Sequence, residues 1–533
     1  MQIIRKSMAV VAAMLGLVIG LAGCHHSSSH LVSIAVAASN SSIAIGATSQ
    51  LTVSGTDSDG KIVAQSTGLK YFSSATAVAT VSSTGLVTGV GPGTVTITAT
   101  SADLTASVQI RVFATYVQVL HASPDAPAVD VILDGVKAIS NLDFGQGSRV
   151  AVLTPGTHSV SVQARTPGSP TTVVAPTDLP LEADTQYVVI AEGAVANLGP
   201  QIFTRPVPPV TSTQARVQVF HAAPNAPSVD VYVTAPTAAL AEATPLGTFS
   251  FKGTLGPVSV PAGTYQIRVT VAGQPTEVVF DSGSVSLPAG ADLLVVAEQN
   301  TGPGSAPITL AVTDAAGNNS QILDVGTPAT VRVIHDVADA PAVNVYANSS
   351  FDSPVVSSLA FSHFTNYLSL PPTFLQSVQV TPASNSSVVV IDTPLTLAAG
   401  RQYSVYAVGT LATIEPLVTT DDRRRLATQA KIRVVHGSPT AGDVDVYLTA
   451  PNAGIATATP VLTSVKFKDF TGFLSLAAGS YDVTVTSAGT QTAVIGPATI
   501  RVANRGIYTA VARDAVDGGA PIGLILLDDF AIP

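Results

Sequence analysis

The chain of 533 residues has few charges, a single cysteine and no tryptophan. Asp, Glu, Lys and Arg make up 11% of it, against roughly 25% in an average soluble domain. Because 46% of the residues are hydrophobic, the low charge does not indicate disorder, which combines high charge with few apolar residues. The net charge of −10 argues against nucleic acid as a partner. With one cysteine no internal disulfide can form, so packing has to stabilise the fold.

The sequence also lacks the motifs of common enzyme classes. It has no Gly-x-Ser-x-Gly elbow, no His-Glu-x-x-His helix, no phosphate-binding loop and no dinucleotide fingerprint. We therefore expect no catalytic residue, no metal and no cofactor. Carboxylate pairs of the kind used by glycosidases have no fixed spacing, so a hydrolase of unknown substrate stays open as the least favoured alternative.

Thr, Ser, Val, Ala and Gly dominate the composition, which favours strands and tight turns over helices. The segment Thr94–Thr100 alternates strictly between polar and apolar residues, the period of a half-buried strand. Many short segments of this kind, separated by turn residues, indicate β-sandwiches. We predict an all-β protein, a string of five immunoglobulin-like β-sandwich domains arranged as a rod.

The N-terminus has the features of an export signal. Arg5 and Lys6 precede an apolar run from Met8 to Leu21, which is shorter than the ~20 residues that span a bilayer. The run ends in Leu21-Ala22-Gly23-Cys24, which resembles a lipobox, where bacterial lipoproteins are cleaved and diacylated on cysteine. The alternative is an ordinary secretory signal cleaved nearby.

The lipobox resemblance implies a signal peptide over residues 1–23 and a lipid-anchored tether over residues 24–30. Cys24 would carry the lipid, with acyl chains such as palmitate, and would hold the protein on a membrane. His25 after the cysteine, rather than aspartate, resembles lipoproteins sorted to the outer membrane. The expected localisation is therefore the cell envelope, at the outer membrane.

Residues 31–113 form the first predicted domain. The segments Ala79–Gly89, Gly91-Pro92-Gly93-Thr94 and Tyr71-Phe72-Ser73-Ser74 resemble the group 2 bacterial immunoglobulin-like domain. Members of that family occur in adhesins and envelope proteins, so the resemblance implies an adhesive or spacing role.

The rest of the chain repeats itself four times, which is its most informative feature. Each copy opens with an apolar strand that ends in histidine, clearest in Val119–Val131 and Val219–Val231, which share the pattern His-x-x-Pro-x-x-Pro-x-Val-Asp-Val. The predicted repeats are residues 115–206, 214–326, 328–420 and 429–530, with the histidines at His121, His221, His335 and His436. These openings resemble the bacterial family called domain of unknown function 4397, so the resemblance implies architecture and no activity.

The repeated histidines are predicted to be structural. Each lies on the same strand face as the valines before it, so the imidazole should sit at the edge of a core and bond the backbone of the next loop. A metal site would need further converging ligands, and the third copy has Asn344 where the others have aspartate. A second recurring position carries tyrosine in three copies and resembles the tyrosine corner of immunoglobulin-like sandwiches: Tyr187, Tyr403 and Tyr508. The second copy has Leu293 there.

Residues 420–425 join the third and fourth copies and end in three arginines. We expect a solvated linker, although the arginines could attract anionic lipid or polysaccharide. The favoured function is a non-enzymatic, lipid-anchored envelope protein that serves as an adhesive, spacer or scaffold module, with a protein or polysaccharide ligand and no nucleic acid. A glycan-binding envelope lipoprotein is the alternative.

Overall fold

The computed structural model describes residues 30–65, 67–207, 213–348 and 350–530. Over these residues the chain is all-β, with two short 3-10 turns and no α-helix. The described residues form two units, divided between Phe113 and Ala114. No helix among the described residues is long and apolar enough to cross a membrane. The predicted signal peptide, Cys24 and the tether up to residue 29 lie outside the described residues.

The first unit holds one immunoglobulin-like sandwich. Its nine strands are β1 (Leu31–Ala38), β2 (Ser42–Ala44), β3 (Thr48–Asp57), β4 (Ile62–Gln65), β5 (Leu69–Ser73), β6 (Ala79–Val81), β7 (Leu86–Gly89), β8 (Gly93–Ser101) and β9 (Leu104–Phe113). One sheet has the order β1-β3-β7-β6 with β4 beside β3, and the other has the order β2-β9-β8-β5. The alternation in β8 turns Val95, Ile97 and Ala99 into the core.

The second unit holds the four repeats, each a sandwich of two sheets. The first repeat has β10 (Thr115–His121), β11 (Val129–Leu133), β12 (Val136–Leu142), β13 (Ala151–Leu153), β14 (Gly156–Ala164), β15 (Thr171–Leu181), β16 (Thr185–Glu192), a 3-10 turn (Val195–Asn197) and β17 (Gly199–Pro206). The second has β18 (Gln214–His221), β19 (Val229–Thr234), a 3-10 turn (Leu240–Glu242), β20 (Gly247–Phe249), β21 (Thr254–Pro261), β22 (Gly263–Val271), β23 (Val278–Leu287), β24 (Asp292–Gln299), β25 (Ile308–Asp314) and β26 (Asn319–Ile322).

The third and fourth repeats contain eight strands each. The third has β27 (Ala329–His335), β28 (Val343–Ala347), β29 (Val356–Leu359), β30 (Leu368–Leu370), β31 (Thr373–Pro382), β32 (Ile391–Leu397), β33 (Gln402–Val408) and β34 (Glu415–Asp421). The fourth has β35 (Ala430–His436), β36 (Val444–Thr449), β37 (Leu462–Val465), β38 (Leu474–Leu476), β39 (Gly479–Ser487), β40 (Ala493–Val502), β41 (Ile507–Arg513) and β42 (Gly523–Asp528).

We call the sheet that contains the histidine-ending strand the His sheet, and the other the back sheet. The His sheets have the orders β13-β10-β16-β17, β21-β18-β24-β25-β26, β30-β27-β33-β34 and β38-β35-β41-β42. The histidine-ending strand runs parallel to the strand that carries the tyrosine position in all four repeats. The second repeat differs in the additional edge strand β26, which pairs with β25.

The His sheets are apolar on both faces, which explains how the four repeats pack. In β16 the run Val188, Val189 and Ile190 is apolar without alternation and buried throughout. One face of each such run covers the core of its own sandwich, and the other meets the His sheet of the neighbouring repeat, as is usual for sheets with parallel strands. Two shared clusters result, one between the first and second repeats and one between the third and fourth.

The five predicted sandwiches are therefore confirmed, but the expected rod is wrong for Ala114–Pro533. Within this unit the repeats pack in pairs, because faces such as that of Leu120, Ile190 and Phe220 are completely buried against each other. A rod would leave these apolar faces in water, at a cost that grows with their area.

Candidate functional site

The four repeated histidines lie inside their sandwiches. Nε2 of His121 donates to the carbonyl of Pro127 at 3.0 Å, His335 bonds Pro341 in the same way at 3.0 Å, and His436 bonds Gly442 at 2.8 Å. Nδ1 of His121 accepts the N–H of Ser123, so the proton sits on Nε2. Each ring thereby pins the loop that follows its strand.

The histidine of the second repeat departs from this geometry. Nδ1 of His221 accepts the Ala223 N–H at 3.3 Å, but Nε2 lies near the Pro227 carbonyl without completing a hydrogen bond. Burial lowers the pKa of His121 to about 4 and also lowers the pKa of His221 and His335, so these rings are neutral at pH 7. Among the described residues no group of three or more His, Cys, Asp or Glu side chains is placed to hold a metal ion.

The recurring tyrosines close one end of each sandwich that has them. The hydroxyl of Tyr187 accepts the N–H of Glu182 at 3.0 Å, and Tyr403 accepts that of Ala398 at 3.2 Å. Tyr508 accepts the N–H of Ala503 at 3.0 Å. The bond ties the loop before the tyrosine strand to the sheet, as in a tyrosine corner.

A buried ion-pair network joins the third and fourth repeats. Arg332 reaches across to Asp528 at 2.8 Å, and Arg433 reaches back to Asp421 at 2.5 Å, with all four side chains at most 3% exposed. Tyr367 also donates to Asp421. Asp421 begins the charged segment expected to be a solvated linker. Asp422 and Arg425 in that segment are exposed, but the expectation is wrong for Asp421, whose carboxylate neutralises an interface arginine. Arg332 and Arg433 were not predicted from the sequence as interface residues. The pattern that could have identified them is an arginine three residues before the histidine in both of these repeats.

The interface between the first and second repeats has different polar contacts. Gln118 donates to the backbone carbonyl of Asp314 at 2.8 Å, and Lys252 pairs with Glu192 at 2.8 Å. Glu298 is completely buried at this interface, and neither carboxylate oxygen has a hydrogen-bond partner. Burial raises the pKa of Glu298 well above its usual range, although Arg424 opposes the shift. Burial therefore favours the protonated form of this carboxyl group.

A polar cavity of about 590 Å³ lies where the first, second and fourth repeats meet the segment 423–425. Its basic lining residues are Lys252, Arg423, Arg424, Arg425 and Arg505. Asp125 and Glu192 supply the opposing charge, so the lining carries a net positive charge. Arg424 is held by the Ala126 carbonyl and by Asp143, whereas the Arg505 side chain is 59% exposed. We call this the arginine cavity.

A second cavity, of about 580 Å³, lies between the two sheets of the second repeat. We call it the core cavity. Its walls are mostly aliphatic, with Val231 and Val295 on opposite sheets and Leu293 and Pro288 at one end. At ~24 cal/mol per Å³, leaving such a space empty would cost on the order of 14 kcal/mol, as much as the whole stability of a typical domain. Water fills apolar cavities poorly because it finds few partners there.

Comparison with solved structures finds multidomain β proteins of low similarity. Domains 4–9 of the surface layer protein SbsC are 12% identical, with 89% of this chain and 82% of that chain covered and a TM-score of 0.15. Domains 5–6 of SbsC are 16% identical over 49% of this chain and 99% of that one, with a TM-score of 0.14. The four N-terminal Ig domains of Dscam1 isoform 7.44 are 12% identical over 68% and 98%, with a TM-score of 0.12. Scores this low carry no argument about function.

Comparison with curated proteins finds no match. Comparison with families is informative. The group 2 bacterial Ig-like domain matches residues 32–112. The domain of unknown function (DUF4397) matches residues 115–232, 329–447 and 450–533, together more than half of the chain. The protein therefore belongs to the DUF4397 family and carries a group 2 bacterial Ig-like domain ahead of the DUF4397 repeats.

Proposed function

We propose that this protein is a non-enzymatic cell-envelope protein, lipid-anchored at Cys24 in the outer membrane, whose sandwiches act as a scaffold or adhesive module. The observation that carries the proposal is that its recurring polar side chains serve the fold. The histidines pin loops, the tyrosines close sandwich ends, and the repeated interface arginines join two repeats. Residues that hold a framework together in this way suit a protein that presents surfaces, with contact to a protein or polysaccharide falling to loops and strand edges.

Metabolic labelling with an alkynyl fatty acid tests the anchor. The wild-type protein should take up the label and fractionate with the outer membrane, because an acyl chain of this kind partitions into bilayers. Cys24→Ala should abolish both, while Ser28→Ala, a small change in the same segment, should leave both intact. Label that persists in Cys24→Ala, or that never appears in the wild type, contradicts lipidation at this residue.

A broad hydrolase screen with the purified mature protein tests the non-enzymatic part. No turnover above a heat-denatured control is expected. Turnover that follows the protein through two independent purification steps would contradict the proposal and favour the hydrolase alternative.

Glycan binding is the second candidate, and the arginine cavity is the observation that favours it. Its net positive lining and open side suit an acidic saccharide, since guanidinium groups pair with carboxylates and sulfates in a bidentate manner. Binding to acidic members of a glycan array should weaken in Arg505→Gln and in Arg423→Gln. The matched control is Arg149→Gln, an exposed arginine outside the cavity. Equal binding by all four proteins would place any glycan contact elsewhere.

A further inference from the structure

The second repeat has lost both partners of a hydrogen bond that the other three repeats keep. Leu293 stands in the register position of Tyr187, one residue beyond the first residue of the parallel pairing. Pro288 follows Leu287, as Glu182 follows Leu181 in the first repeat. Proline has no N–H to donate, so the bond between loop and tyrosine hydroxyl cannot form even in principle. The donor and the acceptor are therefore missing together.

The loss opens the sandwich at that end. Leu287 is partly exposed, whereas its counterparts Leu181 and Leu397 are 3% and 2% exposed. Leu287, Pro288 and Leu293 all line the core cavity. The same repeat has the additional edge strand β26, whose Ile322 extends the apolar wall. Two features peculiar to this copy thus border one cavity.

We infer that the second repeat binds an aliphatic chain, such as the acyl chain of a fatty acid, in the core cavity, with entry at the untied corner of Pro288 and Leu293. The volume of about 580 Å³ lies within the range of small-molecule sites. The lining is mostly valine, leucine and isoleucine, with Phe249, Tyr265 and His221 among its other members. His221 is neutral at pH 7, so the lining carries no charge, suits a hydrocarbon chain and leaves any head group outside. Burying that chain fills a space that water occupies poorly.

The inference is independent of the lipid anchor, because the cavity lies entirely within one repeat. Titration of the purified full-length mature protein with the fluorescent fatty acid cis-parinaric acid should show saturable binding of one molecule per chain. The neutral 1-dodecanol should displace the probe about as well as dodecanoic acid does, since the cavity offers no cation to a carboxylate. Displacement by the acid alone would overturn the inference and point to a basic surface site.

Two variants close the cavity by different routes. Pro288→Ala combined with Leu293→Tyr restores the corner found in the other repeats, and Val295→Phe fills the space from the His sheet. Both should weaken binding of cis-parinaric acid by about tenfold or more. The Pro288→Ala, Leu293→Tyr variant should also have a higher unfolding temperature than the wild type. That measurement shows whether the altered repeat is folded. Tyr403→Phe, which removes only a hydroxyl in the third repeat, should bind as the wild type does.

The result that refutes the inference is equally definite. If the wild type shows no saturable binding, or if both cavity-closing variants fold and bind as tightly as the wild type, the core cavity is not a ligand site. Loss of binding in only one of the two folded variants still supports binding in the cavity, because each variant changes residues that line the cavity.

Discussion

Replacing Arg433 with glutamine should lower the unfolding temperature of the pair formed by the third and fourth repeats. The guanidinium is 1% exposed, and Nη1 lies 2.5 Å from Oδ1 of a fully buried Asp421. The first and second repeats carry Gln118 and Gln218 at the same position, three residues before the histidine. Glutamine therefore fits the strand, and the change removes the charged guanidinium while keeping the first three side-chain carbons and a polar end.

The magnitude follows from the charge that is left behind. Removing one member of a buried ion pair costs about 3–5 kcal/mol when the other charge stays buried without compensation. Here Asp421 keeps one weaker partner, because Nε of Arg332 lies 3.9 Å from its Oδ2. Asp421 keeps its hydrogen bonds from Tyr367 and Ser404, which favours the lower end. For a cooperative unit of 150–250 residues, 1 kcal/mol shifts the midpoint by about 2–4 °C, so we expect a drop of roughly 6–12 °C.

Differential scanning calorimetry of the purified mature protein provides the measurement. Arg501→Gln, which removes an exposed arginine from the same repeat, is the matched control and should move the midpoint by less than about 2 °C. Asp421→Asn added to Arg433→Gln should recover part of the loss, because no uncompensated charge remains. The reasoning is refuted if Arg433→Gln behaves like Arg501→Gln, or if the double variant loses as much stability as the two single changes added together.

Three further predictions concern single side chains. Tyr187→Phe removes the acceptor of the Glu182 N–H and should cost about 1 kcal/mol in urea unfolding, whereas an unchanged midpoint would show that the bond adds no stability. The pKa of His121 is lowered by burial to about 4, below its unfolded value, so its stabilising effect is complete above pH 6.5 and falls by about 3 kcal/mol as the pH drops to 4. His121→Gln should flatten thermal midpoints over that range, and an unaltered slope would contradict the shift. The pKa of Glu298 is raised by burial, so the folded state holds a proton that the unfolded state loses above pH 4.5, and stability falls as the pH rises. Glu298→Gln should therefore raise the midpoint at pH 8 more than at pH 5, and equal shifts at both would argue that Glu298 is ionised in the folded state.

The strands and the five sandwiches followed from local signals in the sequence. Alternation placed Val95 and Ile97 on an inward face because a strand has a period of two, and this needs no knowledge of distant residues. The spacing of the histidines divided the remainder into repeats for a similar reason. His121 could be placed at a core edge and Tyr187 at a tyrosine corner. Their partners, the Pro127 carbonyl and the Glu182 N–H, depend on loop conformations that spacing does not determine.

The pairing of the repeats was not predicted, although the sequence contains a signal for it. An uninterrupted apolar run such as Val188–Ile190 indicates a strand covered on both faces, while a single sandwich covers one. When these runs are interpreted as strands of isolated sandwiches, the sandwiches are expected to form a rod. The core cavity could not be predicted from the sequence. Leucine in place of tyrosine at Leu293 borders a cavity only once the fold has placed Pro288 and the opposing sheet around it.

Four similar repeats with apolar surfaces could pair in more than one way, and misassembly between like domains is a characteristic failure of repeat proteins. Apolar contact is non-directional, so polar positions add to the discrimination between partners. Arg205 of the first repeat occupies the register position that Asp421 occupies in the third, each opposite the residue before the tyrosine. Arg205 pairs with Asp292 of the second repeat. If the first repeat took the place of the third, Arg205 would meet Arg433, and burying like charges together costs several kcal/mol. The charge at this position therefore disfavours a pairing of the first repeat with the fourth.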